Sequence, residues 1–177
     1  MTRLPRGALV VRRATAADTA RIHGLREQLA NWLTKRGVAQ WAPGEIGVDE
    51  VAAQIADRQW WVADAPDGRE SPGGALRYLR SDPIWPDDVP AAYVHGLMVD
   101  RECAGVGLGT LLLDWAHERA LRDGAHVLRL DCVETNRPLR DYYAAHGFVE
   151  VGRHDRAPGR HPVTLLQRGL LPSTDGH

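Results

Sequence analysis

Three glycines at alternate positions, Gly105-Val106-Gly107-Leu108-Gly109, stand between a β-rich apolar run and an apolar run of helical spacing. Glycine at every second position lets a backbone turn sharply and leaves its N–H groups uncovered. A helix beginning there adds N–H groups outside its ladder and about half a positive charge. A strand, such a turn and a helix start can hold a phosphate or pyrophosphate without a lysine. The plain alternative is a tight strand-to-helix turn that only packs. A dinucleotide fold is a sharper rival, because Asp131 lies in the next β-rich run at about the 20-residue distance such motifs use. Three observations count against it. The spacing is G-x-G-x-G rather than G-x-G-x-x-G. The turn follows two helical patterns and a fourth extended one, not the first strand. Too little chain remains after Gly109 for a second mononucleotide half.

The elements that must position this turn follow from pattern. Leu9 to Arg13 reads as a strand. Thr15 and Asp18 form an acidic variant of the capping box ahead of a helix over 16–35, with Ile22, Leu25 and Leu29 at helical spacing. Asp49 is placed to cap a second helix carrying Val51 and Ile55. Trp60–Asp64 and Gly74–Arg80 read as a strand pair around the turn-rich stretch 65–74, and Ala92–Val99 as a fourth strand. A helix with Leu108, Leu111, Leu112 and Trp115 ends near Gly124. Val127–Val133 is a fifth strand. Pro138 suits the first turn of a helix that stops before Gly147. Phe148–Arg153 and Val163–Arg168 close the chain as strands. The order β-α-α-β-β-β-α-β-α-β-β predicts a mixed α/β fold with an open sheet.

Composition narrows the function. A chain of 177 residues suits one domain, 1–177, with 1–8 and 171–177 expected to be flexible ends. The formal net charge of −1 argues against general nucleic-acid binding, which needs a basic surface. No apolar run approaches the ~20 residues that span a bilayer, so no membrane partner is expected. We read no signal peptide, and the two cysteines fit a reducing compartment, so the cytoplasm is the expected location.

The glycine turn and the segment downstream of it resemble a known family. Leu97-x-Val99 followed by Ala104-Gly-Val-Gly-Leu-Gly109 resembles the acetyl-CoA motif of the GNAT superfamily of N-acetyltransferases, whose pattern is Gln/Arg-x-x-Gly-x-Gly/Ala. Asn136 and Tyr142-Tyr143-Ala-Ala-His-Gly147-Phe148 resemble its second signature, in which a tyrosine precedes a Gly-Phe pair by four residues. Ala104 stands where the family usually has Gln or Arg. Since that site works largely through backbone N–H groups, weaker coenzyme affinity is the most this departure implies.

The resemblance implies a mostly antiparallel sheet of six to seven strands, splayed between strands 4 and 5 and flanked by about four helices. It implies direct acetyl transfer from acetyl-CoA to a small amine, and homodimers are common in proteins of this type. Ala104, Gly105, Val106, Gly107, Leu108, Gly109 and Thr110 are then expected to hold the pyrophosphate, with Asn136 near the coenzyme. Leu97 and Val99 resemble strand positions whose backbone pairs with the pantetheine arm. The N–H of Leu97 or Met98 is expected to polarise the thioester carbonyl. Tyr143 matches the family tyrosine, and its phenol, protonated at neutral pH, suits a general acid toward the leaving thiolate. Its alternative is a core aromatic.

For the base, His95 sits two residues before Leu97. On a regular strand residues 95, 97 and 99 share a face, and histidine accepts a proton near pH 7. A packed strand histidine is its alternative. Glu134 is the second candidate base, and a water the third. Cys103, beside the turn, assembles no Cys-His-Asp set. His154, Asp155 and His161 fit no metal spacing, and no metal is expected. Arg137 and Arg140 read as solvated helix charges before they read as contacts to the coenzyme's 3′-phosphate. Trp41 and Trp85 fall in loops where an acceptor pocket could form. Glu45, Asp49, Asp82, Asp87 and Asp88 make those loops acidic, which suggests a cationic acceptor. The rival function is a module of the same fold that binds acyl-CoA without chemistry.

Overall fold

A computed structural model describes residues 9–70 and 72–170; both expected flexible ends lie outside them. Seven strands form one sheet in the order β1-β2-β3-β4-β5-β7-β6. They are β1 Val11–Arg13, β2 Trp60–Asp64, β3 Pro72–Leu79, β4 Ala91–Val99, β5 Val127–Val133, β6 Val149–His154 and β7 Val163–Gly169. Four helices accompany them: α1 Thr19–Lys35, α2 Val48–Ala56, α3 Leu108–Arg122 and α4 Arg137–Ala145. This is the expected element order and sheet. Among the described residues, no helix is long and apolar enough to cross a membrane.

The chain divides into two compact units that interleave along the sequence. The first runs to Tyr78 and resumes over His95–Leu113. Its core joins Ile22, Leu25 and Leu29 of α1, Val51 and Ile55 of α2, Trp60 and Val62 of β2, Ala75 of β3 and Met98 of β4. The helical spacing of the α1 residues and the alternation of Trp60 with Val62 therefore serve one interior. A short helical turn at Ala16–Asp18 precedes α1, and the capping box is there: the Asp18 carboxylate accepts the Thr15 N–H at 2.8 Å. Arg12 adds two donors to Asp18, both at 2.9 Å, so this carboxylate, 2% exposed, is fully engaged. The second helix departs from expectation. Gly47, not Asp49, precedes it, and Asp49 and Glu50 lie in its first turn, where they meet the positive end of the helix.

The second unit takes Leu79–Val94 and begins again at Asp114. β5 and β7 pair antiparallel from Val127↔Gly169 to Val133↔Val163, and β6 covers the far side of β7. β4 pairs with β5 in parallel at Ala91↔Val127, Ala92↔Leu128 and Tyr93↔Arg129. This parallel register covers Ala91–Tyr93, within the part of β4 that belongs to this unit. Trp85, Ala91, Tyr93, Val133, Val163 and Leu165 form a buried cluster in this unit.

Candidate active site

The first set of candidate residues lies on one continuous stretch, from His95 to Thr110. β4 is not the regular strand that period two assumes. Gly96 has φ +57°, in the left-handed region, and breaks the alternation between His95 and Leu97. A Cβ at Gly96 would stand 3.1 Å from Trp60 Cη2, so the strand bends with an aromatic ring against it. His95, Leu97 and Val99 therefore do not share a face by simple alternation. All three are half-buried, whereas Met98 is buried in the core. An isolated glycine inside a strand is itself a bulge signal, and that signal is present in the sequence.

Beyond β4 the chain is tied down before it turns. The Asp100 N–H donates to the Gly73 carbonyl at 2.9 Å, and the Asp100 carboxylate accepts the Glu102 N–H at 2.9 Å. A helical turn at Arg101–Cys103, unforeseen in the sequence, leads into the glycines. Gly105 and Gly107 have φ of +81° and +91°, and a Cβ on either would meet nothing within 4 Å. Glycine is required there by backbone conformation, and the space over the turn is open. The first bond of the α3 ladder runs from Leu111 N–H to Gly107 C=O at 3.0 Å, so the N–H groups of residues 108–110 precede it. Leu108 is 1% exposed, and a Cβ on Gly73 would lie 2.8 Å from its Cδ1; one on Gly74 would lie 2.8 Å from the Met98 carbonyl oxygen. The two glycines opening β3, read in the sequence as the end of a loop, thus let α3 and β4 approach closely and fix the turn. Ala104, Gly105, Gly107 and Thr110 are exposed, and Val106 and Gly109 half-buried. This geometry suits a pyrophosphate held by main-chain donors.

The second set lies in the other unit. Asn136 caps α4: its side-chain oxygen accepts the Leu139 N–H at 3.4 Å, with Pro138 in the first turn. The far end of α4 explains the Tyr-x-x-x-Gly-Phe spacing. The Phe148 N–H donates to the Tyr143 carbonyl and the Gly147 N–H to the Ala144 carbonyl, both at 3.1 Å, with Gly147 at φ +83°. This is a Schellman cap, and the rings of Tyr143 and Phe148, 5.8 Å apart, make its apolar contact. Tyr143 thus has a structural duty through its ring. Burial is the largest cause holding its phenol above the ordinary value, with Cys132, Tyr142 and Asp131 adding to it. Tyr143 therefore keeps its proton across the working pH range.

Other candidates are committed elsewhere. Glu134 accepts from Arg153 at 2.7 Å. Arg140 donates to Glu150 at 2.8 Å and to the Glu134 carbonyl at 2.9 Å, while Arg137 is a solvated helix charge 3.9 Å from Asp141. Cys103 and Cys132 are free and buried; burial pushes both thiols up, Cys132 to about 12. Trp41 packs against the core with the Arg26 guanidinium 4.0 Å from its ring. Trp85 is buried and lies in the second unit's cluster, with the Arg129 guanidinium 4.4 Å from its ring. Glu45 pairs with Arg26 at 3.2 Å and Asp87 with buried Arg129 at 2.8 Å, which neutralises two of the five loop acids. A cavity of about 320 Å³ between Arg13, Thr19, Ile55 and Arg58 contains none of the predicted site residues.

One arrangement escaped the sequence reading. On α1 the Trp32 ring has the Arg36 guanidinium 4.5 Å from its centre and that of Arg101 at 4.1 Å. Trp32 lies in the last turn of the predicted helix and Arg36, four residues on, directly follows its end, a spacing that brings side chains together. Arg101 could be joined to them only through the fold.

Comparison with known proteins agrees with this fold. The sequence model of the acetyltransferase (GNAT) family matches residues 26–148. Uncharacterized N-acetyltransferase YesJ of Bacillus subtilis (strain 168) is 30% identical over 149 residues, covering 78% of this chain and 81% of YesJ. A GNAT-family acetyltransferase structure from Listeria monocytogenes 4b F2365 superposes with a TM-score of 0.75 at 24% identity, covering 96% of this chain and all of that one. YncA from Salmonella typhimurium, solved with its cofactor acetyl-CoA, superposes at 0.68 and 19% identity, covering 96% and 98%. The chain belongs to the acetyltransferase (GNAT) family. It is an N-acetyltransferase, and acetyl-CoA is the acetyl donor of its family.

Proposed function

We propose that this enzyme transfers acetyl directly from acetyl-CoA to a small amine, with the whole chain acting as one catalytic domain. The observation carrying the proposal is the open turn at Gly105 and Gly107, both at positive φ, opening onto the start of α3. Main-chain N–H groups of 105–110 would hold the pyrophosphate, and the bent β4 backbone at Leu97–Val99 would pair with the pantetheine arm. An N–H of Leu97 or Met98 aimed at the thioester oxygen would stabilise the charge that develops there.

An alkyl amine of pKa roughly 10 must lose a proton before it attacks. His95 is the proposed base, since the Glu134 carboxylate is already held by Arg153. The attacking nitrogen forms a C–N bond as the C–S bond breaks, its remaining surplus proton passes to the departing sulfur, and the Tyr143 hydroxyl donates a hydrogen bond to that sulfur. Because its phenol is held above the ordinary value, Tyr143 serves by donating a hydrogen bond, and full ionisation is not required of it. Asn136 keeps α4 in place through its cap. Two of the five loop acids are neutralised, so we assign no extra positive charge to the acceptor.

The test is a panel of small amines with acetyl-CoA, read as free thiol. Release that depends on an amine supports the proposal. Uptake of acetyl-CoA with no amine-dependent release would identify a binding module. No calorimetric uptake of acetyl-CoA would sink the coenzyme assignment itself.

A further inference from the structure

We infer that Arg36, Trp32 and Arg101 form a seat for an anionic group, a carboxylate or a phosphate, carried by one of the two substrates. The inference rests on the acetyl-CoA reading above and names what that site recognises besides the thioester. Two guanidiniums are drawn to a single half-buried ring, 4.5 and 4.1 Å from its centre. Stacking on indole is favourable, but it brings two like charges together, and it leaves the in-plane N–H donors of each guanidinium unused. Among the described residues neither Arg36 nor Arg101 has a carboxylate partner.

The nearby acids are engaged by another cation. Arg69 pairs with Glu102 and with Asp67 at 2.9 Å, and lies 4.0 Å from Asp100. The protein pairs Arg12, Arg26, Arg69, Arg129, Arg140 and Arg153 with carboxylates, whereas Arg36 and Arg101 share a single ring. Arg101 lies on the short connection from Val99 to Gly105, so the seat shares a segment with the residues proposed to hold the thioester and the pyrophosphate. Planar forks over an aromatic face are suited to bidentate capture of carboxylate or phosphate.

Two sources carry that chemistry: a carboxylate on the amine acceptor, or the 3′-phosphate of the coenzyme. The experiment uses the full chain and the variants Arg36→Gln, Arg101→Gln and the double variant. Both side chains replaced are exposed, and thermal unfolding checks that each variant is folded. Inorganic phosphate titrated against ¹⁵N-labelled protein should shift the Trp32 indole signal in the unsubstituted protein and not in the double variant. Calorimetry with acetyl-CoA and 3′-dephospho-acetyl-CoA reads the coenzyme source. If the phosphate sits here, each variant loses about tenfold in affinity for the first and nothing for the second. Steady-state rates with leucine and leucinamide read the acceptor source. If a carboxylate sits here, KM for leucine rises about tenfold in each variant, while leucinamide and the acetyl-CoA affinity stay unchanged. The inference is overturned if phosphate leaves Trp32 unmoved, or if neither discrimination changes in the variants. Failure of the unsubstituted protein to take up acetyl-CoA would instead strike the parent reading, and the phosphate titration would still decide the seat.

Discussion

Gly96→Ala is the substitution whose effect the structure constrains most closely. Gly96 holds φ +57° in the middle of β4, and an added Cβ would stand 3.1 Å from Trp60 Cη2. An L residue in the left-handed region costs about 1–2 kcal/mol. Trp60 cannot give way freely: it is 2% exposed, and its Nε1 donates to the Gln54 side chain at 2.9 Å. Crowding a packed ring adds about 1–3 kcal/mol. The sum is roughly 2–5 kcal/mol, or about 4–20 °C in Tm for a chain of this size. Two further variants separate the causes. Asparagine tolerates the left-handed region, so Gly96→Asn should lose about 1 kcal/mol less than alanine. Trp60→Phe withdraws the ring edge, so combining it with Gly96→Ala should cost less than the two changes added, by about 1 kcal/mol. At a temperature where Gly96→Ala is folded, it should also weaken acetyl-CoA uptake at least tenfold, about the energy of one main-chain hydrogen bond. Circular-dichroism melts and calorimetry read both effects. A Tm within 2 °C of the unsubstituted protein, or strict additivity with Trp60→Phe, would refute the reasoning.

Tyr143→Phe keeps the Schellman cap and its ring contact but removes the hydroxyl, so kcat should fall about 10²-fold with the acetyl-CoA Kd within about twofold; a large change in Kd would count against the acid role. His95→Gln should lower kcat by about the same factor in the thiol-release assay, and an unchanged rate would move the base elsewhere. Cys132 is held near 12 in the fold against a reference of 9.0, so the native state retains a proton that the unfolded chain gives up. Stability tied to this thiol is complete below pH 9 and is lost between 9 and 12; Cys132→Ala should show a shallower fall of Tm across that window. Asp18 is held below 3.8, chiefly by the Arg12 donors, so its contribution is present above that pH and drains away as pH falls beneath it. Asp18→Asn should cost roughly 1.5–3 kcal/mol at neutral pH, measured by urea titration, and should flatten the acid side of the stability profile.

Local signals carried most of the architecture. The Thr15–Asp18 box, the periodic Ile22, Leu25 and Leu29, Pro138 and Gly147 each act within a few residues, and each is where its chemistry placed it. Gly96 shows how a motif can conceal a bend. Read as His-x-Leu-x-Val, the run looks like a regular strand, yet its glycine is the residue that breaks the regularity. Asp49 shows the limit of capping rules, because an acid in the first helical turn satisfies the same helix end from a neighbouring position. The grip of Arg129 on Asp87, at 2.8 Å through two nitrogens, and its stacking 4.4 Å from Trp85 could not be read from sequence, since the pairing joins residues 42 apart. For that reason Trp85 and Asp87 looked like parts of an acceptor loop. Arg101 meeting Trp32 was hidden for the same cause.

The alternation of the two units along the chain has a consequence for biosynthesis. A nascent polypeptide released as far as Tyr78 possesses α1, α2 and the first three strands, but neither the end of β4 nor the glycine turn. Those arrive only with His95–Leu113, after a stretch belonging to the other unit has been made. At ~5–20 residues per second the ribosome imposes a wait on the order of seconds, during which Gly73 and Gly74 present a bare backbone surface with nothing yet to cover it. Cutting the gene after Tyr78 would therefore yield a fragment without the rest of its unit, and the glycine turn is part of the piece that completes it.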